Sequence, residues 1–342
     1  MVVLGLFIIL LLVLVLPFSV KYVEEELEGF LFVMGLVAAS ISGTWSLDLL
    51  REAASSPLLI TGAVLASGFA FRALRPRLQG WARSASLHFG RRMTVLLLVS
   101  GLGLLSSLIT AIMAALLLVE LLHALNFPRP LTVKIAILAC FSIGLGSMLT
   151  PAGGPLASIA IARLSDGAGG PGVFFLARQL GAWIVPMVLA LGLGAALLKG
   201  EEAQGGATGA IEAESVMGIF LRAGKVYIFV AGLVFLGRAF NPLVGPWVAS
   251  APAWAIYWVN SLSAVLDNAT LAAAEISPGM SPLTLKFSLL GLALSGGMLI
   301  PGNIPNIICA GKLKITARQW ARYGLPLGLA LMAAVFSILM FF

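Results

Sequence analysis

The sequence predicts an all-α polytopic membrane protein made of two inverted repeats, each with a re-entrant helical hairpin and a broken transmembrane helix. Three observations lead there. Of the 342 residues, 60% are hydrophobic and only 10% charged, too little charge to coat a soluble domain of this size. Apolar runs long enough to cross a bilayer recur along the whole chain. The two halves also share landmarks in the same order. Pro130-Leu131-Thr132-Val133-Lys134 matches Pro282-Leu283-Thr284-Leu285-Lys286, and Pro151 and Pro155 match Pro301 and Pro305. Ala177-Arg178-Gln179 precedes Pro186 as Ala317-Arg318-Gln319 precedes Pro326. Membrane segments interrupted by Gly and Pro at corresponding places in two halves point to a transporter's binding site, because a broken helix exposes backbone polar groups inside the bilayer.

In chain order, residues 1–56 are expected to hold N-terminal spans at 1–20 and 29–45. Met1–Val20 lacks a basic leader and a small-x-small cleavage site, and acidic residues follow it (Glu24, Glu25, Glu26, Glu28). It therefore reads as a retained span rather than a signal peptide. The first repeat, 57–198, opens with a span at 57–73 and a basic segment at 72–92 that carries Arg72, Arg75, Arg77, Arg83, Arg91 and Arg92. The next stretch, 93–125, is too long for one simple span and has Ser106, Ser107 and Thr110 at its middle, which suggests a hairpin. Irregular backbone at such a tip is tolerated only where protein or a water-filled cavity surrounds it. A broken span at 131–163 and a span at 172–198 complete the repeat. The acidic, Gly-rich segment 199–215 links it to the second repeat, 216–342. There a span at 216–237 leads to a hairpin at 243–276 with Asn260, Ser261, Ser263, Asp267 and Asn268 at its middle. A broken span at 285–311 and a span at 325–342 follow.

Charge orients the chain. With both long stretches read as hairpins, the basic segments 72–92 and 312–322 (Lys312, Lys314, Arg318, Arg322) face the cytoplasm, as the positive-inside rule requires, and both termini lie outside. The first hairpin then enters from the cytoplasm and the second from outside, so the repeats are inverted. The net charge of +7 comes from residues that flank spans. It is a signature of a multi-pass protein of the cell's inner (plasma) membrane, in contact with lipid, and not of nucleic-acid binding. The two cysteines, Cys140 and Cys309, sit in apolar runs with no neighbouring Cys or His, so they read as packing residues with no resident metal or cofactor.

Asp267 is the most informative residue. A carboxylate inside a membrane is costly enough to suggest function, although Asp also caps helix starts well. A hard monovalent cation needs oxygen ligands. Asp267, Asn268 and Ser263 offer side-chain oxygens, and carbonyls freed at Gly302, Asn303 and Asn306 extend the set. In the first half the matching oxygens come from Ser106, Ser107 and Thr110, with Thr150 and Gly153 at the break, and these hydroxyls serve equally as helix-to-helix hydrogen bonders. One charged half implies one dominant cation site. Glu120 and Glu275, each on the second arm of its hairpin, are further candidate proton sites beside Asp267. Two prolines and glycine within five residues favour true unwinding over a kink. Replacing Gly153-Gly154 by Ala-Ala is expected to spare stability.

These motifs resemble the ion transporter superfamily, which includes NhaD-type sodium/proton antiporters, arsenite permeases and sodium-coupled dicarboxylate symporters. The resemblance covers roughly residues 57–342. Ser263-Ala264-Val265-Leu266-Asp267-Asn268 is similar to the Asp-Asn tip of the antiporters, whereas Thr110-Ala111 departs from that pattern and resembles a small prokaryotic family of predicted cation transporters. The resemblance implies homodimers in which the hairpin domain moves like an elevator against a scaffold. The expected function is a secondary active sodium/proton antiporter, with transported Na+ and H+ competing for Asp267. The alternative is a sodium-coupled symporter of a small anion or carboxylate, against which stands the lack of an inward cluster of Arg or Lys. No nucleophile, metalloprotease or nucleotide-binding motif supports an enzyme or an ATP-driven pump.

Overall fold

The computed structural model describes residues 2–20, 22–23, 26–164, 172–198, 216–265, 268–276 and 280–341. Within them the chain is helical, with no strand. Five helices are long and apolar enough to cross a membrane: His88–Ile109, Arg129–Leu149, Phe175–Ala196, Val216–Phe240 and Ala317–Phe341. The expected all-α membrane protein is therefore what the chain builds.

Helices α1 (Val2–Ser19) and α2 (Leu27–Ser42) fall on the stretches expected as N-terminal spans, as apolar helices outside the five of crossing length. Helix α3 (Leu47–Ile109) differs from expectation, because it absorbs the span at 57–73 and the basic segment after it into one helix. Its Leu, Ala and Arg content favours helix on either side of Pro57 and Pro76. It breaks at Gly90, whose φ of 70° suits glycine. One non-helical residue, Thr110, separates α3 from α4 (Ala111–Leu125), and the two helices pack on each other. Thr110 has φ 74° and ψ 148°, a conformation rare for a β-branched residue. Its hydroxyl accepts from Met113 N at 3.3 Å and so caps α4.

The repeated landmarks turn out to be helix punctuation. Pro130 and Pro282 occupy the first turn of α5 (Arg129–Gly146) and α11 (Pro282–Gly296), where a missing N–H costs nothing. Each helix ends before a 3-10 turn, Ser147–Leu149 or Ile300–Gly302, and an extended residue, Thr150 or Asn303. The chain then resumes as α6 (Pro155–Leu164) or α12 (Ile304–Leu313). Ala177-Arg178-Gln179 and Ala317-Arg318-Gln319 lie in the first turns of α7 (Phe175–Ala196) and α13 (Ala317–Phe341), each with a proline inside. At α13 the reciprocal bonds of Thr316 and Gln319, both 3.2 Å, form a capping box.

Helix α8 (Val216–Ser250) runs past 243, the expected start of the second hairpin. It stops only at Pro252, which disfavours helix in the residue before it and opens α9 (Ala253–Val259). A 3-10 turn, Asn260–Ala264, and α10 (Asn268–Glu275) complete this stretch. The arms here are much shorter than the 243–276 reading assumed. The linker 199–215 lies outside the described residues.

Helices α5 and α11 form the buried centre, whereas α13 buries one face (Trp320, Gly324, Gly328, Met332, Val335, Leu339) and exposes the other. Among the contacts that join the halves, α4 packs on α12 and α10 packs on α6, while α5 packs on α11, α12 and α13. Cys140 and Cys309 are buried in this centre, bonded weakly to the carbonyls of Pro305 and Ala115. Helix α2 and the first part of α3 pack on α8. The ion pairs Lys225–Glu26 (2.9 Å) and Arg238–Glu52 (3.0 Å) fasten them there.

Candidate functional site

In each half the broken span presses its irregular turn against the joint between two helices, long α3 and α4 in the first half and short α9 and α10 in the second. In the first half Ala111 N donates to Gly153 O at 2.7 Å, and the buried Thr150 hydroxyl donates to Ser107 O. Ser106 Oγ donates to Gly103 O at 2.6 Å and to Ile143 O at 3.0 Å, which ties α3 to α5, and Ser107 Oγ donates to Leu104 O at 2.7 Å. Close approach needs glycine, since a Cβ at Gly146 would lie 1.8 Å from Gly103 O. The hydroxyls predicted as ligands therefore serve here as bonds between and within helices.

A Cβ at Gly153 would lie 2.1 Å from Ser147 O, while one at Gly154 would find only the Ser147 side chain, 3.6 Å away. The Ala-Ala replacement expected to spare stability would thus collide with backbone at Gly153. The two positions must be tested separately.

The second half is also closely packed around its break, and it is less fully satisfied. A Cβ at Gly302 would lie 2.6 Å from Gly296 O and 2.8 Å from Ser263 O, so these carbonyl oxygens converge on the Gly302 backbone. A Cβ at Gly296 would lie 3.0 Å from both Gly302 O and Asn268 Nδ2, which puts Asn268 beside the same point. Ser263 Oγ bonds to Ser295 Oγ, and Ser295 Oγ reaches Asn260 O at 2.6 Å. Asn268 is the first residue of α10; its neighbour Asp267 lies outside the described residues.

Asn306 holds the break in shape. Its Nδ2 donates to Gly296 O and Leu299 O, both at 2.8 Å, while its buried Oδ1 has no partner. Asn306→Ala would leave two carbonyls without this donor, at a cost of about 1–3 kcal/mol for an unsatisfied buried group. Thermal unfolding in detergent should show a clear fall in melting temperature; an unchanged value would mean that the break does not depend on this amide.

The second break also meets α5. A Cβ at Gly144, on α5, would lie 2.6 Å from Asn303 Nδ2, and one at Gly297 would lie 2.4 Å from the Phe141 ring. Among the predicted proton sites, Glu120 sits 3.9 Å from Lys312, an ion pair that joins α4 to α12. Glu275 is buried against Asn260 and Ser288. Ser288 and Ser295 were not singled out from sequence. The signal for them is the stripe Ser288, Gly291, Ser295, small residues spaced at three and four along α11, which lets another backbone approach closely.

Among the described residues, three of the four buried side-chain polar atoms without a partner cluster in the second half: Asn306 Oδ1, Asn260 Oδ1 and Glu275 Oε1. The fourth, Thr61 Oγ1, is on α3. Fold and apolar helices define an all-helical, membrane-embedded protein. The chain belongs to the family described as "Protein of unknown function (DUF1646)", whose model matches residues 3–342. No curated protein matches it.

Proposed function

We propose that this protein is a secondary active cation transporter of the plasma membrane, a homodimer that exchanges sodium for protons by elevator-like alternating access. The proposal includes inverted repeats at 57–198 and 216–342 and re-entrant hairpins around Thr110 and Asp267. The exchanged packing of α4 on α12 and α10 on α6 supports it, since a two-fold axis in the membrane plane relates such contacts in pairs. Two further contacts agree with the topology. Arg91 Nη2 donates to Leu198 O at 3.2 Å, and Arg129 donates to the carbonyls of Leu313 and Lys314. Each joins chain points that the inverted arrangement assigns to the cytoplasmic face.

The observation that carries the functional reading is the convergence at Gly302. There Ser263 O and Gly296 O both crowd the Gly302 backbone, Asn268 Nδ2 and Gly302 O lie beside Gly296, and Asn268 follows Asp267 in the chain. Backbone carbonyl oxygens gathered at bilayer depth, together with the carboxylate that the proposal brings from Asp267, would suit a dehydrated monovalent cation. The first joint, whose hydroxyls are engaged and which has no carboxylate, fits a supporting role.

Purified protein in liposomes loaded with a pH-reporting dye tests this. A jump in external sodium should raise internal pH as sodium enters and protons leave, with no added anion. Absence of a sodium-driven pH change would reject the antiporter; a change in sodium uptake that requires a carboxylate would establish the symporter instead.

A further inference from the structure

Glu275 and Asn260 are each paired through one polar atom and bare at the other. Glu275 is 4% exposed and Asn260 0%. Asn260 Nδ2 donates to Glu275 Oε2 at 2.9 Å and to Ser288 O at 3.1 Å, and Ser288 Oγ donates to the same Oε2 at 2.7 Å. Glu275 Oε1 and Asn260 Oδ1 have no partner. The contacts themselves orient the amide: both neighbours of Nδ2 are acceptors, so a flipped amide would set oxygen against oxygen twice.

A carboxylic acid and a primary amide can pair through two parallel hydrogen bonds. One runs from the amide N–H to the acid's carbonyl oxygen, the other from the acid's O–H to the amide oxygen. The first exists here as Asn260 Nδ2 to Glu275 Oε2. The two atoms that would make the second are the two bare ones. A single proton on Oε1 removes a buried charge, which is expensive when unpaired, and supplies the donor that Asn260 Oδ1 lacks.

From this geometry we infer that Glu275 is a proton-binding site, with the proton on Oε1 shared with Asn260 Oδ1 and Ser288 anchoring Oε2, distinct from the cation site at the Asp267-Asn268 tip. A metal cation fits poorly, since hard cations take about six oxygen ligands and the cluster offers two bare ones. Among the described residues, no counter-charge replaces the proton. Helices α6, α8 and α11 and the turn Asn260–Ala264 pack against α10. Among their described charged side chains, Lys225 pairs with Glu26, Arg238 pairs with Glu52, and Lys286 makes no ion pair with Glu275. Tyr227 on α8 donates its hydroxyl proton to Ala54 O.

That this proton is the one exchanged for sodium rests on the transport reading; its presence does not. The test is infrared spectroscopy of the full chain in lipid at neutral pH, with the glutamate carboxyl groups labelled with heavy carbon so that Asp267 stays silent. The expected result is an isotope-shifted carbonyl band of a hydrogen-bonded carboxylic acid in the native protein, lost in Glu275→Gln and moved to higher frequency in Asn260→Ala. No protonated-glutamate band in the native protein would overturn the inference. Glu275→Gln should fold and melt close to the native temperature, because its amide reproduces both bonds of the protonated pair; a variant that fails to fold would overturn the paired geometry. A protein with the band but no sodium-driven flux would retain this proton site and lose the transporter.

Discussion

Asp267→Asn should abolish sodium-driven proton flux in reconstituted protein. The amide keeps the shape and one oxygen of the carboxylate but cannot alternate between charged and protonated forms. Sodium binding should weaken as well, because a cation stripped of water inside the membrane loses its Coulombic partner, and that attraction is large where the effective dielectric is low. Asp267→Glu, which retains the charge on a longer stem, should keep measurable exchange with altered apparent affinity. Calorimetric sodium titration beside the flux assay separates the two losses. An Asn variant that exchanges at the native rate would remove Asp267 from the mechanism.

Gly302→Ala should be the most damaging change at the second break. The added Cβ meets two backbone oxygens, 2.6 and 2.8 Å away, and neither can turn aside as a flexible side chain would. Overpacking of this kind costs about 1–3 kcal/mol, and relief requires Ser263 O or Gly296 O to leave the convergence. Flux should therefore fall further than stability alone explains. Gly153→Ala makes the corresponding collision in the first half, whereas Gly154→Ala has room and should be nearly neutral. Melting temperatures and sodium-dependent flux of the three single variants check this ranking; equal stability for Gly153→Ala and Gly154→Ala would contradict it.

Proline and glycine made the breaks legible in the sequence. Pro151, Gly153, Pro301 and Gly302 fall in the irregular turns, and Thr110 is the joint between α3 and α4. The start of the second joint was misplaced because Pro242, Gly245 and Pro246 read as helix breakers, whereas α8 runs on through them and ends only before Pro252. The basic stretch 72–92 looked like a loop by charge, yet its residues are good helix formers, and the chain keeps to helix as far as Gly90. Candidate residues stand out in the sequence where the chemistry is local, as with the carboxylate Asp267 beside Asn268 in an apolar stretch, whereas the Asn260–Glu275–Ser288 cluster forms only when α11 crosses the turn after α9. The three residues lie 13 to 28 positions apart, a separation across which sequence does not show that approach; the small-residue stripe on α11 is its nearest trace. The hydroxyls of Ser106, Ser107 and Thr150 were ambiguous because a ligand and a helix-to-helix bond use the same oxygen, and only three-dimensional placement reveals which carbonyl lies within reach.

Tracer sodium uptake into proteoliposomes driven by an imposed pH gradient, internal side acid, tests the central claim most directly. The exchange mechanism predicts that native protein accumulates sodium above its external concentration, that a protonophore collapses the accumulation, and that Asp267→Asn shows none. Sodium uptake by native protein that ignores the pH gradient, or equal accumulation by Asp267→Asn, would contradict it.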